Sequence, residues 1–106
     1  MLVVTRFRVP LTEADVFRAG VEEAHAVLAA QRGYVRGAVG RNVDDPELWL
    51  LQTSWEGPGA YRRALSTYDV KIGAWALLGR ALDEPSAYEV VEPGTVLNIG
   101  STRSLG

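Results

Sequence analysis

Residues 48 to 55 read Leu48-Trp49-Leu50-Leu51-Gln52-Thr53-Ser54-Trp55. Successive side chains of a strand point to opposite faces, so a strand covered on one face alone alternates apolar and polar residues. This stretch starts with four apolar residues in succession, Leu48 to Leu51. Both faces of the sheet that holds it therefore carry large hydrophobes. Helices on one side cover only one of those faces. The other leaves a Trp or two Leu side chains in water, and burying each is worth roughly 1.5–3 kcal/mol. A second copy packed sheet to sheet removes that surface with twofold symmetry. The C-terminal tail folded over the open face is the alternative. The pattern predicts a homodimer.

Outward from this strand, Asn42-Val43-Asp44-Asp45-Pro46 reads as a turn, and Tyr34 to Asn42 as an antiparallel partner strand. That partner carries Gly37, Ala38 and Gly40 near its middle, and interior glycines often mark a bulge or a close approach. At the N-terminus, Leu2 to Val9 is a strand that Pro10 ends. Val3, Thr5, Phe7 and Val9 share one of its faces, and Leu2, Val4, Arg6 and Arg8 the other. A helix from Thr12 to Ala30 follows. The Thr12 hydroxyl is its expected cap, Phe17, Val21, Ala24 and Leu28 its apolar stripe, and Gly33 its C-cap. Downstream, Gly57-Pro58-Gly59 opens a helix over Ala60 to Leu65, and Ser66-Thr67-Tyr68-Asp69 reads as a fresh cap. Val70, Ala74, Leu77, Leu78 and Ala81 form a second amphipathic segment that Pro85 stops. Tyr88 to Val91 is a last short strand. Beyond Pro93-Gly94 lies a tail with a β-like patch at Thr95 to Ile99 and a polar end expected to move freely. The order β-α-β-β-α-β predicts an α+β, ferredoxin-like domain over residues 1–92, with a tail over 93–106.

A chain of 106 residues fits one domain. Its net charge of -2 comes without a basic stripe, which argues against nucleic acid as a partner. The absence of cysteine excludes disulfides, thiolate metal sites and cysteine nucleophiles. With one histidine and no cysteine, neither a metal site nor a metal cofactor is expected. No basic region followed by an apolar core opens the chain, and no apolar run approaches the ~20 residues that span a bilayer. These features lead us to expect a cytoplasmic protein without membrane contact. No serine sits in a nucleophile elbow, and Gly37 to Gly40 lies inside a strand rather than in a nucleotide-binding loop.

Several side chains suit chemistry. Trp55 is fit either to stack on a flat aromatic molecule or to anchor strand to helix. Trp49, Leu51 and Thr53 share its strand face, and Thr53 is the polar group there. Tyr61 and Tyr68 offer hydroxyls near the helices, for hydrogen bonding or for packing. Arg6 and Arg36 suit either an anionic intermediate or ion pairs at an interface. Trp75 reads as packing, with pocket lining as the alternative. His25, at the edge of the first helix's apolar stripe, reads as a boundary histidine.

The step Trp55-Glu56, followed by Ala60-Tyr61-Arg62, resembles the antibiotic biosynthesis monooxygenase domains. Gly33-Tyr34 is similar to that family's step into the second strand, with Arg32 where proline is usual, and Asp44-Asp45-Pro46 fits its hairpin turn. The resemblance covers about residues 2–92. It implies a dimeric α+β barrel and, in one branch, cofactor-independent oxidation of phenolic, polyketide-like aromatics to quinones. Heme degradation is the activity of another branch. Leu51 stands where the first branch carries an asparagine. Position 74, where the heme branch has its histidine, is Ala74, and Thr5-Arg6-Phe7 lacks that branch's asparagine. The resemblance thus implies a cofactor-free monooxygenase with catalytic Trp55 and Tyr61. Its substrate contacts would be Thr53, Trp49, Arg6, Arg36 and Tyr68. The alternative is a non-catalytic homodimer that binds a ligand or partner protein.

Overall fold

The strand Leu48–Trp55, β3, lies inside the sheet of a computed structural model that describes residues 1–97. On one side it pairs with β1 (Leu2–Arg8), on the other with β2 (Tyr34–Arg41). A short β4 (Ala87–Tyr88) adds to β1, giving a four-stranded antiparallel sheet in the order β2-β3-β1-β4. Helix α1 (Ala14–Ala29) links β1 to β2. Helices α2 (Pro58–Leu65), α3 (Tyr68–Gly73) and α4 (Trp75–Leu78) link β3 to β4. This is the α+β, ferredoxin-like arrangement, with one layer of helices on one sheet face.

The odd-numbered residues of β1 and β3 face the helices. Val3, Phe7, Trp49, Leu51 and Trp55 are buried there against Phe17, Val21, Ala24 and Leu28 of α1. The even-numbered residues form the other face. Register places Leu48 opposite Arg8 and Leu50 opposite Arg6, so Leu2, Val4, Leu48 and Leu50 share it and are only half-buried. After β4, Val90 and Val91 are exposed, as are Val96 and Leu97 in the described part of the tail.

The β2–β3 connection is built as its residues suggest. The Asn42 side chain accepts hydrogen bonds from the backbone N–H groups of Asp44 and Asp45, and Asp45 accepts from Glu47 and from Arg8. Those bonds hold the Asp45 carboxyl below its ordinary pKa.

Four local expectations need correction. A 3₁₀ turn at Leu11–Glu13 precedes α1, and Thr12 does not cap it. Glu13 N–H already bonds the Pro10 carbonyl, so the backbone tightens before the helix and leaves Thr12 exposed within the turn. The second amphipathic segment is not continuous. It breaks at Ala74, whose φ is -133°, between α3 and α4. Gly73 there meets α1 closely, since a Cβ on it would lie 2.7 Å from Val27 Cγ2. The last strand is Ala87–Tyr88 rather than Tyr88–Val91. Tyr88 lies opposite Leu2, so residues past it run beyond the start of β1 and find no partner. Finally, Thr95 to Leu97 form no strand; Asn98, Ile99 and the polar end lie outside the described residues.

Candidate functional site

The residue that opens the site is Thr5, the one polar member of the helix-facing set Val3, Thr5, Phe7 and Val9. Between it and α2, α4 and the segment entering β4 lies a cavity of about 330 Å³. Its walls include Leu65, Trp75, Leu78 and Leu82, with the hydroxyls of Thr5 and Tyr61 as polar groups. Arg6 and Glu84 stand at its edge in a two-pronged ion pair, with Arg6 Nη2 2.8 Å and Nε 3.1 Å from the carboxylate.

Local sequence places each wall. Gly33, with φ at +89°, lets α2 approach closely, because a Cβ on it would lie 2.4 Å from Ala60 Cβ. Ala60 and Ala64 then bury the inner face of α2 and set Tyr61 beside the cavity. Trp75 is held by its indole N–H, which donates to the Leu65 carbonyl at 2.9 Å. The segment from Leu82 to Tyr88 follows the edge of β1. Leu82 N–H donates to the Arg6 carbonyl and Val4 N–H to the Ser86 carbonyl. Pro85, lacking an N–H, keeps that segment from forming a full strand beside Thr5.

Tyr61 is 9% exposed, and its hydroxyl has no hydrogen-bond partner among the described residues. Burial pushes its pKa above the usual 10.0, so it is a neutral donor at every physiological pH.

The structure brings Tyr61, Arg6 and Trp75 to this cavity and keeps Trp55, Thr53, Trp49, Tyr68 and Arg36 out of its lining. Trp55 lies behind Tyr61, 2% exposed, with ring centroids 5.4 Å apart. Its indole N–H donates to Thr53 Oγ1 at 2.8 Å. Thr53 Oγ1 therefore accepts from an indole. This partnership was hidden in the sequence because alternation gives a face but not a contact along it. Trp49 packs at the other end of β3, against the Phe17 ring at 5.3 Å and under the Arg41 guanidinium at 5.3 Å. Its indole N–H is buried with no partner among the described residues. Tyr68 is 75% exposed, and Arg36 sits on the open face opposite Ser54. His25 Nε2 lies 2.7 Å from the Tyr34 hydroxyl. Thr5 and Glu84 were missed as site residues. A lone hydroxyl in an otherwise apolar strand face was the available signal for Thr5; nothing local marks Glu84.

Among the described residues, no cluster of His, Asp and Glu side chains is arranged to hold a metal, and no helix is long and apolar enough to cross a membrane.

A family model for antibiotic biosynthesis monooxygenase matches residues 1–73. No curated protein matches the chain. Among solved structures, SnoaB, a cofactor-independent oxygenase from Streptomyces nogalater, is similar at 25% identity. The match covers 89% of this chain and 96% of that one, with a TM-score of 0.70. A mutant of the same oxygenase is 28% identical over 76% of this chain and 82% of that one, at a TM-score of 0.65. A conserved protein from Methanosarcina mazei Go1 shares the fold at 17% identity, covering 81% of this chain and 84% of its own, at a TM-score of 0.66.

Proposed function

Because the chain belongs to the antibiotic biosynthesis monooxygenase family, we propose that it is a cofactor-independent monooxygenase acting on a small phenolic, polyketide-like aromatic, and that it works as a homodimer. The observation that carries this reading is the cavity lined by Tyr61, whose hydroxyl has no hydrogen-bond partner among the described residues, and by Thr5, Leu65, Trp75 and Leu78. Its volume of about 330 Å³ lies at the lower end of the usual range for small-molecule sites.

The chemistry needs little more than placement and charge stabilisation. An electron-rich phenol reacts with dioxygen once it is deprotonated. Overall, a ring CH₂ and O₂ become a C=O and water, with O₂ as the oxidant. The phenolic proton leaves to water. Tyr61, kept neutral by burial, donates a hydrogen bond to the phenolate oxygen as charge develops. Thr5 offers a second hydroxyl from the strand side. Leu65, Leu78 and Trp75 supply the apolar surface against which an aromatic ring packs. Trp55 backs the Tyr61 ring and fixes its position. SnoaB's description as a cofactor-independent oxygenase supports this reading.

The test is quinone formation from an anthrone-like phenol in air. The protein should accelerate it over buffer. Tyr61→Phe should lower kcat by about 10²-fold, the usual loss for one charge-stabilising donor, with an unchanged circular dichroism spectrum. A rate equal to buffer across a panel of phenols overturns the reading.

The engagement of Thr53 by Trp55 favours a second reading, a non-catalytic homodimer that binds the same class of aromatic. Quenching of tryptophan fluorescence by a phenol that is recovered unchanged would select it.

A further inference from the structure

A line of aromatic groups leads away from the cavity, and the proposed oxygenation uses Tyr61 as a donor and Trp55 only as its support. Tyr61 forms the wall. Trp55 stands behind it at 5.4 Å between ring centroids. Tyr34 meets the far side of Trp55 edge-on at 5.5 Å and 87°. The Tyr34 hydroxyl then lies 2.7 Å from Nε2 of His25, which is half-buried on α1. Rings in contact at these spacings exchange single electrons readily.

The members differ in where a proton can go. The Tyr61 hydroxyl has no partner among the described residues, so its oxidation finds no side-chain base beside it to take the proton. The Trp55 N–H faces the Thr53 hydroxyl, a poor base. The Tyr34 hydroxyl alone faces a good base, the imidazole. Gly37 preserves that contact. A Cβ there would lie 2.8 Å from the Tyr34 hydroxyl oxygen and 2.9 Å from His25 Nε2.

We propose that Tyr61, Trp55, Tyr34 and His25 form a one-electron relay that drains stray oxidising equivalents from the cavity to the protein surface. It rests on the oxygenase reading for its oxidant, the alkoxyl radical formed when a substrate hydroperoxide breaks its O–O bond; the hydroxyl radical formed with it takes a hydrogen atom from a solvent reductant such as ascorbate and leaves as water. Trp55 gives that radical one electron across Tyr61; the resulting alkoxide takes a proton from water. Tyr34 then gives one electron to the Trp55 radical cation and its hydroxyl proton to His25 Nε2, leaving a neutral tyrosyl radical and an imidazolium. An electron from a solvent reductant such as ascorbate and return of the proton restore Tyr34.

The experiment is flash oxidation of the ligand-free full chain by photogenerated ruthenium(III) tris-bipyridine, read by electron paramagnetic resonance. The background carries Tyr68→Phe and Tyr88→Phe, which remove two exposed tyrosines. A tyrosyl signal is expected. Tyr34→Phe keeps the ring and deletes only the hydroxyl, and should abolish the signal. His25→Gln keeps a hydrogen-bond acceptor without a base, and should leave the radical on tryptophan. A tyrosyl signal unchanged in Tyr34→Phe or His25→Gln, or one that survives Trp55→Phe, overturns the relay, since direct oxidation of the half-buried Tyr34 by the ruthenium complex needs no Trp55. No substrate enters this experiment. Loss of the relay therefore leaves the oxygenase reading standing, and a protein inert toward phenols that still forms the Tyr34 radical keeps the electron path but removes its oxidant.

Discussion

An alanine at position 37 has no room. Its Cβ would sit 2.5 Å from the backbone carbonyl of Gln52, which cannot swing aside as a side chain can. Overpacking of this kind costs about 1–3 kcal/mol. Gly37→Ala should lower the unfolding free energy by that amount, read as a lower urea midpoint at an unchanged denaturant slope. The interior glycines of this strand already suggested a bulge or a close approach, and both are present: the register slips between Tyr34 and Arg36, and two side chains crowd over Gly37. Their identity was not legible, because His25 arrives from a helix distant in three dimensions until the chain folds. Burial also sets an alkaline limit. Tyr61 and Tyr34 have folded pKa values raised above 10.0. Their protonated forms are thus favoured by folding. That contribution is complete below pH about 10 and is lost as pH rises through the higher folded values. Stability should fall on titration above pH 10, and Tyr61→Phe should make that fall shallower, as followed by circular dichroism.

At the scale of elements, the helical stretch after β3 is a chain of short pieces, each held by its own device. Thr67 caps α3: its hydroxyl oxygen accepts from Val70 N–H at 3.4 Å, and its O–H donates to the Ala64 carbonyl at 2.8 Å, tying α2 to α3. Thr67→Ala should lower stability by about 1 kcal/mol, read by urea unfolding. This cap was visible in Ser66-Thr67-Tyr68-Asp69. The break at Ala74 was not. Apolar spacing through Val70, Ala74, Leu77 and Leu78 fits a continuous helix, and only the closeness of Gly73 to Val27 on α1 shows why the chain turns there. Strand length has the same character. β4 ends where its partner β1 begins, a limit set by pairing register and not by the β-branched residues Val90 and Val91.

For the whole molecule, the apolar run Leu48 to Leu51 was enough to read a sheet with two greasy faces, and element order was enough to read the topology. Neither located the cavity, whose walls come from residues 4 to 86 and meet only after folding. The open face carries the dimer proposal. Leu50 lies at its centre, opposite Arg6. Leu50→Arg should convert a dimer to a monomer in size-exclusion chromatography with light scattering, since it sets a charge into an apolar contact. A wild-type chain that is already monomeric at micromolar concentration would sink the dimer.

The wall formed by the segment entering β4 is fastened lightly. Two register pairs, the Leu82 bond to Arg6 and the Val4 bond to Ser86 hold it to the edge of β1, with Pro85 interrupting them. Partial openings of a protein start where backbone bonds are fewest. In amide-exchange terms, Val4 and Leu82 should trade their protons for solvent deuterons well before the interior of β3 does. The route into the cavity is then a seam at the sheet's margin that unzips from one side, and a bound aromatic would act as its clasp.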